Sequence, residues 1–229
     1  MNYKVETNST YRGLNILPCR RDGEEKRTDI LDRLRSILFC MLDKHCKVIQ
    51  TRFDLHYPDI QDFEHINRDI YHFINEFTKA LNRMNCSGHY VDAKYLWVRE
   101  QSLSVHPHYH VVVFCNGNAI KSPYTIFDKA EYYWSKTISY PDNKLVDRCY
   151  RNNGFKHENG IMMDINKYDF ESQLNKAFRA SSYLAKTGSK ESREKYACSS
   201  GSSHISSEYC HKSNIILSKR TLLITEKDY

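Results

Sequence analysis

The sequence predicts an α+β fold built on an antiparallel sheet. Apolar residues recur at helical spacing in some segments and at every second position in others. The strand-like segments do not alternate one for one with helices, as a parallel βαβ sheet requires. Two of them, Tyr90 to Glu100 and Pro107 to Cys115, follow one another with only a short loop between. A chain of 229 residues buries a full core without staples. Its 40% hydrophobic and 13% aromatic content excludes a disordered chain, and 8 Gly with 5 Pro exclude collagen-like and low-complexity classes.

The elements follow in order. Residues 1–23 read as a polar N-terminal arm. From Glu24 a helix is expected, because Ile30, Leu31, Leu34, Ile37, Leu38, Met41 and Leu42 form one stripe. Val48 to Tyr57 switches to period two. Ile49, Thr51, Phe53, Leu55 and Tyr57 share one face, and Val48, Gln50, Arg52, Asp54 and His56 the other, so this strand has one largely polar face. Pro58 ends it. Residues 60–84 are expected to be helical through Phe63, Ile66, Ile70, Phe73, Ile74, Phe77 and Leu81. Two strands follow, then the Asn116-Gly117-Asn118 turn, a helix over 125–138 and a polar loop over 139–160. A short strand, Ile161 to Ile165, precedes a last helix over 168–186. Residues 191–229 read as a polar tail, leaving one domain over 24–190.

Charge and cysteine usage bound the partners. Lys plus Arg number 34 against 28 acids, a net charge of +6, which hints at a polyanionic partner. The eight cysteines are scattered, with no Cys-x-x-Cys, as in a reduced cytoplasmic protein. Cys198, His204, Cys210 and His211 are zinc-ligand types, but their spacing matches no common finger or ribbon. No apolar run approaches the roughly 18 residues of a membrane span, and the N-terminus has no signal-peptide pattern, so no membrane partner is expected.

The most informative segment is VHPHYHVVVF. His108 and His110 are two apart on a strand and face the same way. The hairpin loop, Gln101 to Pro107, places Glu100 opposite His108 and Val98 opposite His110 if no bulge intervenes. Two imidazoles and a carboxylate on one face suit Mg²⁺ or Mn²⁺ acting on a phosphate. Alone, the pair could equally be two strand histidines on a wet face. His106 and His108 share the spacing, but Pro107 makes that a poor strand.

The last helix carries Tyr183 and Lys186 three apart, with Arg179 and Lys176 on the preceding turns. A phenol with an ordinary pKa of about 10 is a weak nucleophile, and neighbouring cations would favour its phenolate. The same cations can hold a nucleic-acid backbone. Among 17 tyrosines a Tyr-x-x-Lys match arises by chance, so its weight comes from following the histidine strand in the chain.

Together these motifs resemble the HUH superfamily of single-strand endonucleases, and most closely the replication initiation proteins of filamentous phages (inoviruses) and their prophage relatives. Phe53-Asp54-Leu55-His56-Tyr57 resembles the first strand motif, His108-Tyr109-His110 the two-histidine motif and Tyr183-Leu184-Ala185-Lys186 the tyrosine motif. The resemblance implies a central sheet of about five antiparallel strands flanked by helices, a ferredoxin-like or RRM-like palm. It implies a metal held by Glu100, His108 and His110, with Tyr183 as nucleophile and Lys186 as its charge partner. The implied reaction nicks single-stranded or locally melted origin DNA, leaves a 5′-phosphotyrosine and a free 3′-OH, primes rolling-circle replication and later religates. Arg52, Lys176 and Arg179 are then candidate DNA contacts, and Tyr57, Tyr90, Tyr95 and Trp97 candidate stacking platforms. Host helicase and polymerase are implied partners, in the bacterial cytoplasm. Two other readings are a non-catalytic prophage DNA-binding regulator and a transposase or relaxase of the same chemistry.

Overall fold

The computed structural model describes residues 4–18, 25–60, 68–86, 88–100, 106–141, 143–152, 155–156, 159–187 and 198–205. Helix α1, Thr28–Lys44, buries the whole expected stripe from Ile30 to Leu42. Strand β1, Lys47–Leu55, is followed by helix α2, Asp69–Asn82. The expected helix over 60–84 is thus observed from Asp69, and residues 61–67 lie outside the described residues. Strands β2, Lys94–Glu100, and β3, His108–Asn116, come next, then helix α3, Tyr124–Ile138. The stretch expected as a polar loop contains a short strand β4, Val146–Asp147. Strand β5, Ile161–Asp164, leads to helix α4, Phe170–Ser181, and strand β6, Ser200–Ser202, closes the order.

These six strands form one antiparallel sheet. Strand β1 sits beside β3, β3 beside β2 and β2 beside β6, while β4 and β5 share the other edge of β1. The fold is α+β, with helices on both faces of this sheet. Alternation decides which residues go where. Ile49, Phe53 and Leu55 of β1 join Tyr109, Val111, Val113 and Cys115 of β3 in the core under α2 and α3. Val48, Val112, Phe114, Leu96 and Val98 join the opposite core under α1 and α4. Arg52 and Asp54 of β1 and His108 and His110 of β3 lie on this second face, at the end of the strands away from Val48 and Phe114.

Two expectations about the chain ends change. Residues 4–18 are not an arm apart from the domain. Tyr11, Leu14 and Ile16 are buried in the α1/α4 core, Val5–Glu6 pairs with Lys26–Arg27, and the Leu17 N–H donates to Ser182 Oγ at 2.9 Å. The few apolar residues of this polar segment are spaced to dock, which composition averaging conceals. Part of the expected tail is likewise a sheet strand, since β6 lines up Gly201 with Trp97. A side chain at Gly201 would put its Cβ 2.6 Å from the Trp97 indole nitrogen, so only glycine lets the backbone lie there. No helix among the described residues is long and apolar enough to cross a membrane.

Candidate active site

The β2–β3 register pairs Glu100 with His108 and Val98 with His110, without a bulge. All three candidate ligands therefore meet at one end of the sheet. One donor atom from each of Glu100, His108 and His110 lies within 4.8 Å of the others. His110 Nε2 is 2.6 Å, and His108 Nε2 3.8 Å, from Glu100 Oε2. Donors about 2.1 Å from a shared ion stand at most about 4.2 Å apart, so small side-chain rotations suffice to close the set. The donors fit a divalent cation, and nothing in the geometry selects which one.

Burial keeps His108 neutral. It is the largest cause of a depressed His108 pKa, pushed down to about 4, with neighbouring His110 adding to it. A neutral imidazole offers its lone pair to a cation. His56 stacks on His108, ring centres 5.3 Å apart and planes 16° from parallel, and burial lowers its pKa too.

The β1–β3 register adds a partner that the histidine motif alone does not reveal. Asp54 pairs directly with His110, and Asp54 Oδ1 lies 2.8 Å from His110 Nδ1. A carboxylate on one imidazole nitrogen turns the other toward the ligand set. Asp54 also meets Arg52 Nη2, at 3.1 Å from Oδ2 and 3.3 Å from Oδ1. Burial pushes the Asp54 pKa up, but Arg52 and then His110 outweigh it and hold the carboxyl well below the usual range.

Tyr183 reaches this cluster from the other layer. Helix α4 stops at Ser181 and a single 3₁₀ turn, Ser182–Ala185, follows. Leu184 and Ala185 are fully buried, and Ser182 Oγ donates to the Arg179 carbonyl, so the turn is anchored on both sides. The Tyr183 ring packs edge-on against His110, centroids 5.1 Å apart, and the Arg52 guanidinium carbon lies 3.9 Å from the Tyr183 ring centre. The expectation that cations favour the phenolate is not met. Burial raises the Tyr183 pKa, and Glu100 and Asp54 add to it, against which Arg52 is a partial counterweight.

The other expected residues scatter. Lys186 follows the turn in extended backbone and bridges to Lys26, so it does not share a helix face with Tyr183; its N–H donates to the Tyr183 carbonyl at 3.1 Å. Lys176 and Arg179 are exposed on α4. Arg52 lies inside the site under Tyr183 rather than on an open face. Tyr57 is buried in the α2/α3 core with its hydroxyl donating to Asp69 Oδ2 at 2.9 Å, and Trp97 is buried as well, which removes both as stacking platforms. Trp97 of β2 and Tyr57, just past the end of β1, both lie on the face packed under α2 and α3. Tyr90 is exposed and Tyr95 half-buried. Cys198 and His204 join no ligand group among the described residues, while Cys210 and His211 lie outside them.

The sequence motifs by themselves assign no role to Asp54 or His56. The polar face of β1 is the available signal, since Arg52, Asp54 and His56 alternate there. A protein-family model described as the YagK/YfjJ C-terminal domain matches residues 7–203, a span that takes in the docked residues Tyr11, Leu14 and Ile16 and strand β6. No curated protein and no solved structure matches the chain.

Proposed function

The chain belongs to the YagK/YfjJ C-terminal domain family, and from that premise we propose that it nicks single-stranded DNA by metal-assisted tyrosine transesterification. One observation carries the reading: the anchored 3₁₀ turn presents Tyr183 against His110, at the edge of a Glu-His-His donor set. A nucleophile for in-line attack must be held, and this one is held from both sides. Glu100, His108 and His110 would bind Mg²⁺ or Mn²⁺, whose charge polarises the scissile phosphate.

The steps at the protein's own atoms follow. The Tyr183 oxygen attacks the phosphorus and loses its proton. A new O–P bond forms to the 5′ side as the bond to the 3′ oxygen breaks, and that oxygen takes up a proton as a free 3′-OH. One phosphodiester replaces another, so no nucleotide hydrolysis is required and the reverse reaction reseals the strand. Asp54 keeps His110 in the orientation that aims Nε2 at the donor set. Arg52 keeps the Tyr183 ring in place. Lys186, next to the turn, balances phosphate charge, and the exposed Lys176 and Arg179 hold the strand's backbone. The resemblance to HUH initiators supports rolling-circle replication as the setting, with locally melted origin DNA as substrate.

Incubation with single-stranded DNA and Mn²⁺, then denaturing electrophoresis and peptide mapping, tests the proposal. A covalent adduct on Tyr183 is expected. No adduct, or one on another tyrosine, overturns it.

A further inference from the structure

His56 lies just past β1 with its backbone fixed and its ring nitrogens uncommitted. Its N–H donates to the Leu145 carbonyl at 2.8 Å, and its own carbonyl accepts from Trp134 Nε1 at 2.7 Å. The imidazole is half-buried and makes no hydrogen bond or ion pair among the described residues. The carboxylates whose charge it feels are Asp54 and Asp147. Both are engaged elsewhere, Asp54 by Arg52 and His110, and Asp147 Oδ1 by the Cys149 N–H at 2.8 Å. An imidazole carries at least one N–H in either protonation state, so His56 offers a donor that the protein itself leaves unused.

Four rings follow one another across the site. Tyr183 is 5.1 Å from His110, His110 4.9 Å from His108, and His108 5.3 Å from His56, centre to centre. One strand face carries the same order. Arg52 lies under Tyr183, Asp54 pairs with His110, and His56, two residues further on, stacks on His108. Tyr183 and His56 therefore flank the Glu100, His108 and His110 set on opposite sides. An in-line displacement also puts the attacking and leaving oxygens on opposite sides of phosphorus. With a phosphate held at the candidate ligand set and Tyr183 attacking from the His110 side, the leaving 3′ oxygen emerges on the His108 side, where His56 stands. We propose that His56 donates a hydrogen bond to the leaving 3′ oxygen of the DNA strand. As the bond from the Tyr183 oxygen to phosphorus forms, the bond to the 3′ oxygen breaks and its electron pair stays on that oxygen. The Tyr183 proton passes to water. The His56 N–H stabilises the charge developing on the 3′ oxygen until water protonates it. This role rests on the nicking reading and extends it from the attacking side to the leaving side.

The test exchanges the leaving atom. The bond that the wild type cuts in single-stranded DNA is located from its product ends, and a second strand is made with sulfur in place of that 3′ oxygen. A thiolate leaves without help from a hydrogen bond. Single-turnover adduct formation in Mn²⁺ is compared for the full-length wild type, for His56→Phe, which keeps a flat ring against His108, and for His108→Ala. On the oxygen strand His56→Phe is expected to be slower than wild type by about 10²–10³-fold, the usual effect of removing one such donor. On the sulfur strand it is expected to match the wild type, while His108→Ala stays slow on both. The calorimetric Mn²⁺ affinity of His56→Phe is expected to equal that of the wild type. An equal loss on both strands, or a weakened Mn²⁺ site, makes His56 a support of the ligand set and overturns the leaving-side role. A wild-type rate of His56→Phe on the oxygen strand overturns it as well. A wild-type protein that forms no Tyr183 adduct on the oxygen strand overturns the nicking reading itself, a result distinct from the others.

Discussion

The Arg52 guanidinium carbon lies 3.9 Å from the centre of the Tyr183 ring, while the same side chain is 3.1 Å from Asp54. Asp54 in turn approaches His110 at 2.8 Å. The tyrosine and the candidate ligand set are thus joined through Arg52 and Asp54, two neighbouring positions of one β-strand face.

Removing the phenol oxygen isolates the chemistry from the fold. Tyr183→Phe keeps the ring against His110 and the cation over its face, so melting temperature and DNA affinity are expected to stay near wild type. Nicking and adduct formation are expected to vanish. A Tyr183→Phe protein that still forms an adduct would place the nucleophile elsewhere.

His108→Ala with His110→Ala removes two of the three candidate ligands. Cleavage in Mn²⁺ is expected to fall to background, with single-strand binding largely retained because the exposed Lys176 and Arg179 are untouched. Calorimetric Mn²⁺ titration is expected to lose its site. Cleavage at the wild-type rate in the double variant rules out this ligand set.

Asp54→Asn tests the support of His110. Losing a carboxylate behind a ligating imidazole costs about 10–100-fold in metal affinity, so a higher Mn²⁺ concentration should restore the cleavage rate. If saturating metal restores nothing, Asp54 does more than orient the ligand.

Arg52→Gln leaves Tyr183 without its cation. A desolvated cation–π contact contributes about 2 kcal/mol, which is roughly 30-fold in an equilibrium or a rate. Adduct formation on saturating DNA is expected to slow by about that factor. Arg52→Lys should restore only part of it, since an ammonium lacks the planar face and forked donors of a guanidinium. Equal rates in wild type and Arg52→Gln would mean that the contact has no part in holding the ring.

Acid stability can be read at Asp92, far from the site. Burial pushes its pKa up, but Lys94 and His45 outweigh this and lower it; His45 Nε2 is 3.0 Å from Asp92 Oδ2. A carboxyl depressed in the folded state contributes stability above its unfolded pKa of about 3.8. That contribution is lost as pH falls below this value toward the folded pKa. Asp92→Asn should therefore lower the melting temperature at neutral pH and narrow its gap to wild type below about pH 4. A gap that is constant with pH excludes ionic pairing as the cause.

Much of the site is legible in the amino-acid sequence alone. Period two puts His108 and His110 on one face, and a bulge-free hairpin puts Glu100 across from His108, because these are properties of adjacent chain. The helical stripes of α1 and α2 are legible for the same reason. Local spacing does not show which faces meet. The β1–β3 pairing that brings Asp54 to His110 joins segments more than fifty residues apart. The fit of the Tyr183 turn over Arg52, the docking of Tyr11, Leu14 and Ile16 and the burial of Tyr57 also depend on packing between distant segments. Residue spacing determines the face a side chain takes on its own element. Only the close packing of sheet and helices decides whether that face is covered by a core, as at Tyr57, or left at the end of one, as at His110.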